Sequence, residues 1–170
     1  FLPGDPLGGD GAVSAARFSS DNRVPNSAFD NTTLSANVGT ALGAHTTLRA
    51  VTRAELGRTG TPGQTAFGRP DLDASFEQDQ VAAGLTLDQR LTRSFRQRAT
   101  YSLAATNQTS LNLLEDAPFT PSFRGRTAPF EWFDFTYDLR NRLRRHYASY
   151  QADWRLSHGG RRGSHLLTAM

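Results

Sequence analysis

Seven charged side chains recur at two-residue spacing within segments of alternating polarity: Arg49, Arg53 and Glu55, then Arg96 and Arg98, then Asp153 and Arg155. Asp88 belongs with them. A spacing of two puts such groups on one face of a β-strand. Two kinds of chemistry fit that placement. Opposite charges on neighbouring strands pair modestly and solvate the face. Alternatively, guanidinium groups with their planar donor forks grip a neighbouring body or guide an anionic ligand.

A second set is aromatic. Phe119, Phe123, Phe130, Trp132, Phe133, Phe135 and Tyr137 fall within a short stretch that also carries Pro118, Pro121 and Pro129. They either form a small core that compacts a long loop or present a ligand-capture surface, since aromatic side chains give large contact area at low entropy cost. The loop acids Asp71, Asp73, Glu115 and Asp116 are oxygen donors of the type a hard cation prefers, but the Asp-Leu-Asp spacing lacks the full calcium-loop pattern. They read as solvated turn acids, and no metal site is expected. His45, His146, His158 and His165 are dispersed without metal-ligand spacing. No Ser-His-Asp or paired-carboxylate set can be assembled, so no enzyme activity and no cofactor are expected. His-Gly-Gly-Arg-Arg-Gly-Ser at 158–164 reads as a turn and not as a phosphate loop.

The elements that must position these residues are strands. In Thr46–Leu56, Leu48, Ala50, Thr52, Ala54 and Leu56 alternate with Arg49, Val51, Arg53 and Glu55. In the segment ending at Leu156, Ala148, Tyr150, Ala152, Trp154 and Leu156 alternate with Tyr147, Ser149, Gln151, Asp153 and Arg155. Seven strands are predicted: Ala12–Ser20, Phe29–Leu42, Thr46–Leu56, Phe76–Gln89, Phe95–Thr106, Leu143–Leu156 and Ser164–Met170. Residues 1–11 read as a loop or linker. Within the fifth strand Gln97 interrupts the apolar alternation.

The linkers alternate between short and long. Gly43–His45, Arg90–Ser94 and Ser157–Gly163 are short; Asp21–Ala28, Gly57–Ser75 and Asn107–Arg142 are longer. A barrel of the bacterial outer membrane has this rhythm, with short periplasmic turns and long outer loops. The chain has 170 residues and no cysteine. No apolar run reaches the length of a membrane-spanning helix, so a barrel is the only way this chain crosses a bilayer. All the basic residues are arginine, yet the net charge is only +3 and the arginines are scattered. No nucleic-acid partner is expected.

Asp21–Gly39, Glu55–Ala74, Phe95–Ser110 and Leu113–Asp138 resemble the barrel region of TonB-dependent outer-membrane receptors, often labelled cobalamin-type. The resemblance covers roughly Gly11 to Met170. It implies a large plugged barrel, uptake of a scarce small-molecule ligand such as a siderophore, cobalamin or carbohydrate, a plug domain, and a TonB complex as energy source. It also implies that the arginine-rich face looks into the lumen and that the aromatic loop meets the ligand outside. Neither a plug nor a TonB box is visible in this sequence.

The resulting expectation is an all-β, antiparallel up-and-down meander. Residues 12–170 would form a seven-strand segment of a large transmembrane β-barrel in the bacterial outer membrane, contacting its lipid. Seven strands leave two open edges, which a membrane does not tolerate, so the chain reads as an internal piece of a larger protein. A passive porin-like barrel and a soluble carbohydrate-binding or structural β-domain are the rival readings.

Overall fold

The computed structural model describes residues 8–63, 69–157 and 164–169, and side chains as far as Arg155. Alternation produces the expected architecture. Seven strands form one antiparallel meander: β1 Gly9–Ser20, β2 Phe29–Ala41, β3 Thr46–Gly60, β4 Ser75–Arg90, β5 Phe95–Asn112, β8 Tyr137–Ser157 and β9 Ser164–Ala169. Their spatial order follows the chain. A separate small hairpin, β6 Ser122–Phe123 with β7 Arg126–Thr127, interrupts the β5–β8 connection. Its turn residues Arg124 and Gly125 both have positive φ, 50° and 78°. That backbone matches the right-handed twist of a tight hairpin.

Strand starts and ends differ from the sequence expectation chiefly at the long-loop end. At the long-loop end the ladders continue past the last clear alternation. Asn107 and Arg142, the expected limits of a loop, are directly paired, and pairing runs on to Asn112 with Tyr137. β3 likewise continues to Gly60 opposite Ser75. Backbone hydrogen bonds need no polarity contrast between faces, so a strand persists where its alternation fades. β1 also begins at Gly9, inside the segment expected to be a loop, because Gly9 and Asp10 pair with Thr40 and Gly39. Residues 1–7 and most of the expected turn Ser157–Gly163 lie outside the described residues.

The sheet is a single layer and does not close. Among the described residues Ala74 is the sole buried hydrophobic side chain, while Val13, Val38, Leu56, Leu85, Tyr101 and Trp154 are exposed. A globular domain normally buries the greasy face of its sheet against a second layer. This sheet has none. Its ladders satisfy the backbone and leave both faces open.

Candidate functional site

Directly opposed residues of an antiparallel pair share a face, so the register assigns every side chain. One face is apolar over successive rows. Thr40, Leu48, Leu87, Ala99 and Tyr150 make one row; Val38, Ala50, Leu85, Tyr101 and Ala148 the next; Ala36, Thr52, Ala83, Leu103 and His146 the third. Leu34, Ala54, Val81 and Ala105 follow. On β5 this belt runs from Phe95 to Ala105, about 33 Å along the strand and about 25 Å in height if the strand is tilted by some 40°.

The upper edge of the belt keeps to one row from β2 to β5, and its lower edge is stepped. Its lower edge lies at the paired Phe95 and Trp154 on β5 and β8. On β3 and β4 it lies at Leu48 and Leu87, two rows higher, while just past the end of β2 the exposed Leu42, bonded to Thr46, continues the same alternation one row above Phe95. Phe95 and Trp154 meet edge to face, with centroids 6.1 Å apart. The polar intruder Gln97 is accounted for here. It accepts a hydrogen bond from Tyr150 Oη at 2.9 Å and donates to Gln89 at 2.7 Å, so the polar groups of this row satisfy one another.

The seven charges singled out from the sequence occupy the opposite face. Arg49 bridges to both carboxylate oxygens of Asp10 at 2.7 Å, passing over Gly39, where an added Cβ would collide with its guanidinium. Asp88 takes a fork of two arginines, Arg96 and Arg98, at 2.5 and 2.7 Å. Arg53 and Glu55 lie 3.3 Å apart. Asp153 is opposite Arg96 in the register and accepts from Gln151. Arg155 lines an open polar hollow with Arg93, Arg96 and Asp153. Pairing within the sheet thus occupies Arg49, Arg53, Arg96 and Arg98.

The long loops gather at the other end into a cap held by polar clasps. Asn26, in the left-handed region with φ 54°, donates to the carbonyls of Asp71 at 2.9 Å and Ala74 at 2.7 Å. Asp73 accepts from the Leu113 and Leu114 N–H groups, both at 2.9 Å. Arg69 donates to the Ala117 carbonyl and stands over the Phe119 ring. Asn112, 1% exposed, donates to both oxygens of Asp134 and to the Phe135 carbonyl. Burial works against ionisation of Asp134, but the Asp116 N–H, the Asn112 amide and the Phe135 N–H together hold its carboxyl below the usual carboxylate range. Arg69, Asp71, Asn112, Asp116, Phe119 and Asp134 border a hollow of about 230 Å³ lined also by Thr61, Trp132 and Tyr137.

The structure divides the acids named from sequence. Asp71 and Asp116 converge, and Asp134 joins them, with one oxygen of each within 4.8 Å of the others. A trio of carboxylates this close can hold a hard cation. Asp73 instead spends its carboxylate on backbone N–H groups, and Glu115 is exposed. Asp134 was missed in sequence because it lies inside the aromatic run Glu131–Phe135.

The aromatic segment does not form a loop core. Phe123, Phe130, Trp132, Phe133 and Phe135 are exposed, from 37% for Trp132 to 69% for Phe135. Phe119 is half-buried and bridged through its backbone to Trp132. Tyr137 is not a loop residue: it opens β8, opposite Asn112. Polar clasps make the cap, and the aromatic rings are left as an open surface.

Comparison with protein-family models, characterised proteins and solved structures finds no match for this chain.

Proposed function

We propose that this chain is part of the wall of a TonB-dependent outer-membrane barrel that takes up a scarce small-molecule ligand. The observation that carries the membrane part of this reading is the exposed apolar belt. A membrane plane crossing tilted strands must cut the register diagonally, and outer-membrane barrels tilt their strands by about 35–45° around an apolar band about 25 Å tall. On β5 the belt has the height. Exposed aliphatic side chains with no second layer over them are the expected state of a surface made for lipid. Short connections at the Phe95 end and long ones at the cap end fit periplasmic turns and outer loops.

The transport part rests on the sequence resemblance. In that reading the paired arginine face looks into the lumen toward a plug, the TonB complex supplies energy, and the exposed rings of Phe130, Phe133 and Phe135 meet ligand outside. No bond chemistry is assigned.

The test uses the two tryptophans. In a variant of the full-length protein with Trp132 and every tryptophan outside this segment changed to phenylalanine, refolded into vesicles, Trp154 fluorescence should be quenched by lipids brominated near the headgroup more than by those brominated at the chain end. Quenching by aqueous iodide alone would overturn the membrane assignment.

A further inference from the structure

Two connections of the cap meet at one hollow. Asp71 comes from the β3–β4 connection, and Asp116 and Asp134 from the β5–β8 connection, with one oxygen of each within 4.8 Å of the others. Asp71 uses Oδ1 on the Asp73 and Ala74 N–H groups, at 3.0 and 2.8 Å. Asp134 accepts from Asn112 and from the Asp116 N–H. Asp71 Oδ2 and the carboxylate of Asp116 engage none of the described residues.

A pair of enclosed oxygens adds a second, independent sign of a ligand. Asn112, 1% exposed, directs its amide nitrogen to Asp134 and the Phe135 carbonyl, while its Oδ1 is buried with no hydrogen-bond partner. Thr61 Oγ1 is buried and unpartnered as well. Both residues border the hollow that the three carboxylates border. Asn112 Oδ1 shares one planar amide with the nitrogen that touches Asp134, which sets it beside the trio. Buried acceptors call for a donor. Being enclosed by the described residues, these two are out of reach of any further strand or loop. A water molecule would supply donors to them and leave the charge of the carboxylates unmet.

The rest of the wall decides the kind of cation. Phe119, Trp132 and Tyr137 line the hollow, and backbone bonds of 3.2 and 2.8 Å between Phe119 and Trp132 fix two of these residues in place. Rings add nothing to the oxygen shell of a hard metal ion, but their faces attract an organic cation. Arg69 already stands over Phe119 in this way, 5.8 Å from the ring centre. The hollow of about 230 Å³ is also far larger than one ion fills. Both Asp134 oxygens and one of Asp71 already accept N–H donors, a poor start for a calcium shell of about six to eight oxygens. We propose that the hollow binds a primary alkylammonium group. Its N–H donors meet Asp71, Asp116 and the enclosed Asn112 oxygen, and its alkyl stem lies against the rings. Assigning this group to the ligand taken up rests on the uptake reading above; the site itself does not.

The probe is n-butylammonium, with n-butanol as its uncharged analogue and Ca²⁺ as the metal alone. Each is titrated by NMR against the full-length protein in detergent micelles at neutral pH, as wild type, D116N, W132L and E115Q. D116N removes a charge without cutting a clasp, because that carboxylate engages no described residue. Hydrogen exchange over 113–136 checks that the cap is unchanged. Glu115 is exposed and stands outside the hollow. Wild type and E115Q should bind butylammonium about tenfold more tightly than butanol, and D116N should lose about tenfold, the discrimination of one charged hydrogen bond. W132L removes a ring and no charge; it should weaken butylammonium about threefold, and it decides the matter if D116N disturbs the cap. Equal binding of butanol, no binding of the amine by wild type, unchanged affinity in D116N and W132L, or tighter binding of Ca²⁺ than of butylammonium would overturn the site. These outcomes are read in micelles, so failure of the membrane reading is scored separately, by the Trp154 quenching in vesicles.

Discussion

Between Val81 and Leu87, β4 presents an apolar side chain at every second position and is held by ladders to both neighbours. Between Asp71 and Ala74, just upstream, no alternation exists, and Asn26, Asp71 and Asp73 hold the chain through side-chain bonds to backbone. The wall is built from many equivalent, replaceable bonds. The cap is built from a few irreplaceable ones. Loss of a single wall side chain leaves the ladder intact, whereas loss of a clasp removes one of the few bonds that fix a loop at that point, beside backbone bonds such as that from the Thr61 N–H to the Ala74 carbonyl. The wall's sensitivity should therefore lie in what its faces meet, and the cap's in which donors and acceptors remain.

The largest effect expected comes from charging the wall. Ala83→Arg places a guanidinium in the middle of the belt and should cost about 2–4 kcal/mol of folding stability in lipid. Ser102→Arg, one row step away but on the polar face, should cost far less, as measured by urea titration in vesicles. Equal losses would mean that the two faces do not differ in surroundings. Next is Asn112→Ala, which strips Asp134 and the Phe135 carbonyl of a buried donor. It should destabilise the cap by about 1–3 kcal/mol. Hydrogen exchange should accelerate over 113–136 and stay unchanged at 81–87. Acceleration in the wall would refute the separation of the two regions.

A smaller effect follows from Asn26→Ala, which removes two bonds to carbonyls and should cost about 1 kcal/mol. Its exchange signature should appear in both 21–28 and 69–74, because the clasp joins the two loops. The mildest perturbation is acid. Asp134 has a lowered pKa in the fold, so its contribution is fully present above the ordinary value of 3.8 and is lost as pH falls below it toward the folded value. The exchange of 113–136 should rise in that window in wild type and show less pH response in Asp134→Asn.

The wall was legible in sequence because burial or exposure of alternate residues leaves a period of two. Strand order followed from the short connections, and the paired charges at Arg96, Arg98 and Asp88 followed from the same alternation. The cap was not legible. Its contacts join residues 45 and 48 positions apart through single side chains, such as Asn26 with Asp71 and with Ala74, and such pairs have no period. Asp134 was hidden among aromatic neighbours whose bulk suggested a core, yet those rings stay exposed. The extensions of β3, β5 and β8 were also hidden, since a ladder can outlast its polarity pattern. On β8 that extension runs from Tyr137 to Arg142.

Site-directed spin labelling along β4 tests the central claim most directly; this segment has no cysteine, and any elsewhere in the full-length protein is first replaced by serine. Labels at positions 81 through 87 in the full-length protein in vesicles would be probed for collision with oxygen and with a water-soluble nickel chelate. Labels at Val81, Ala83, Leu85 and Leu87 should favour oxygen, and those at Ala82, Gly84 and Thr86 the chelate, with the oxygen maximum on β8 shifted down toward Ala152. Chelate access at every position, or oxygen maxima that follow the rows without the diagonal shift, would contradict a wall facing lipid.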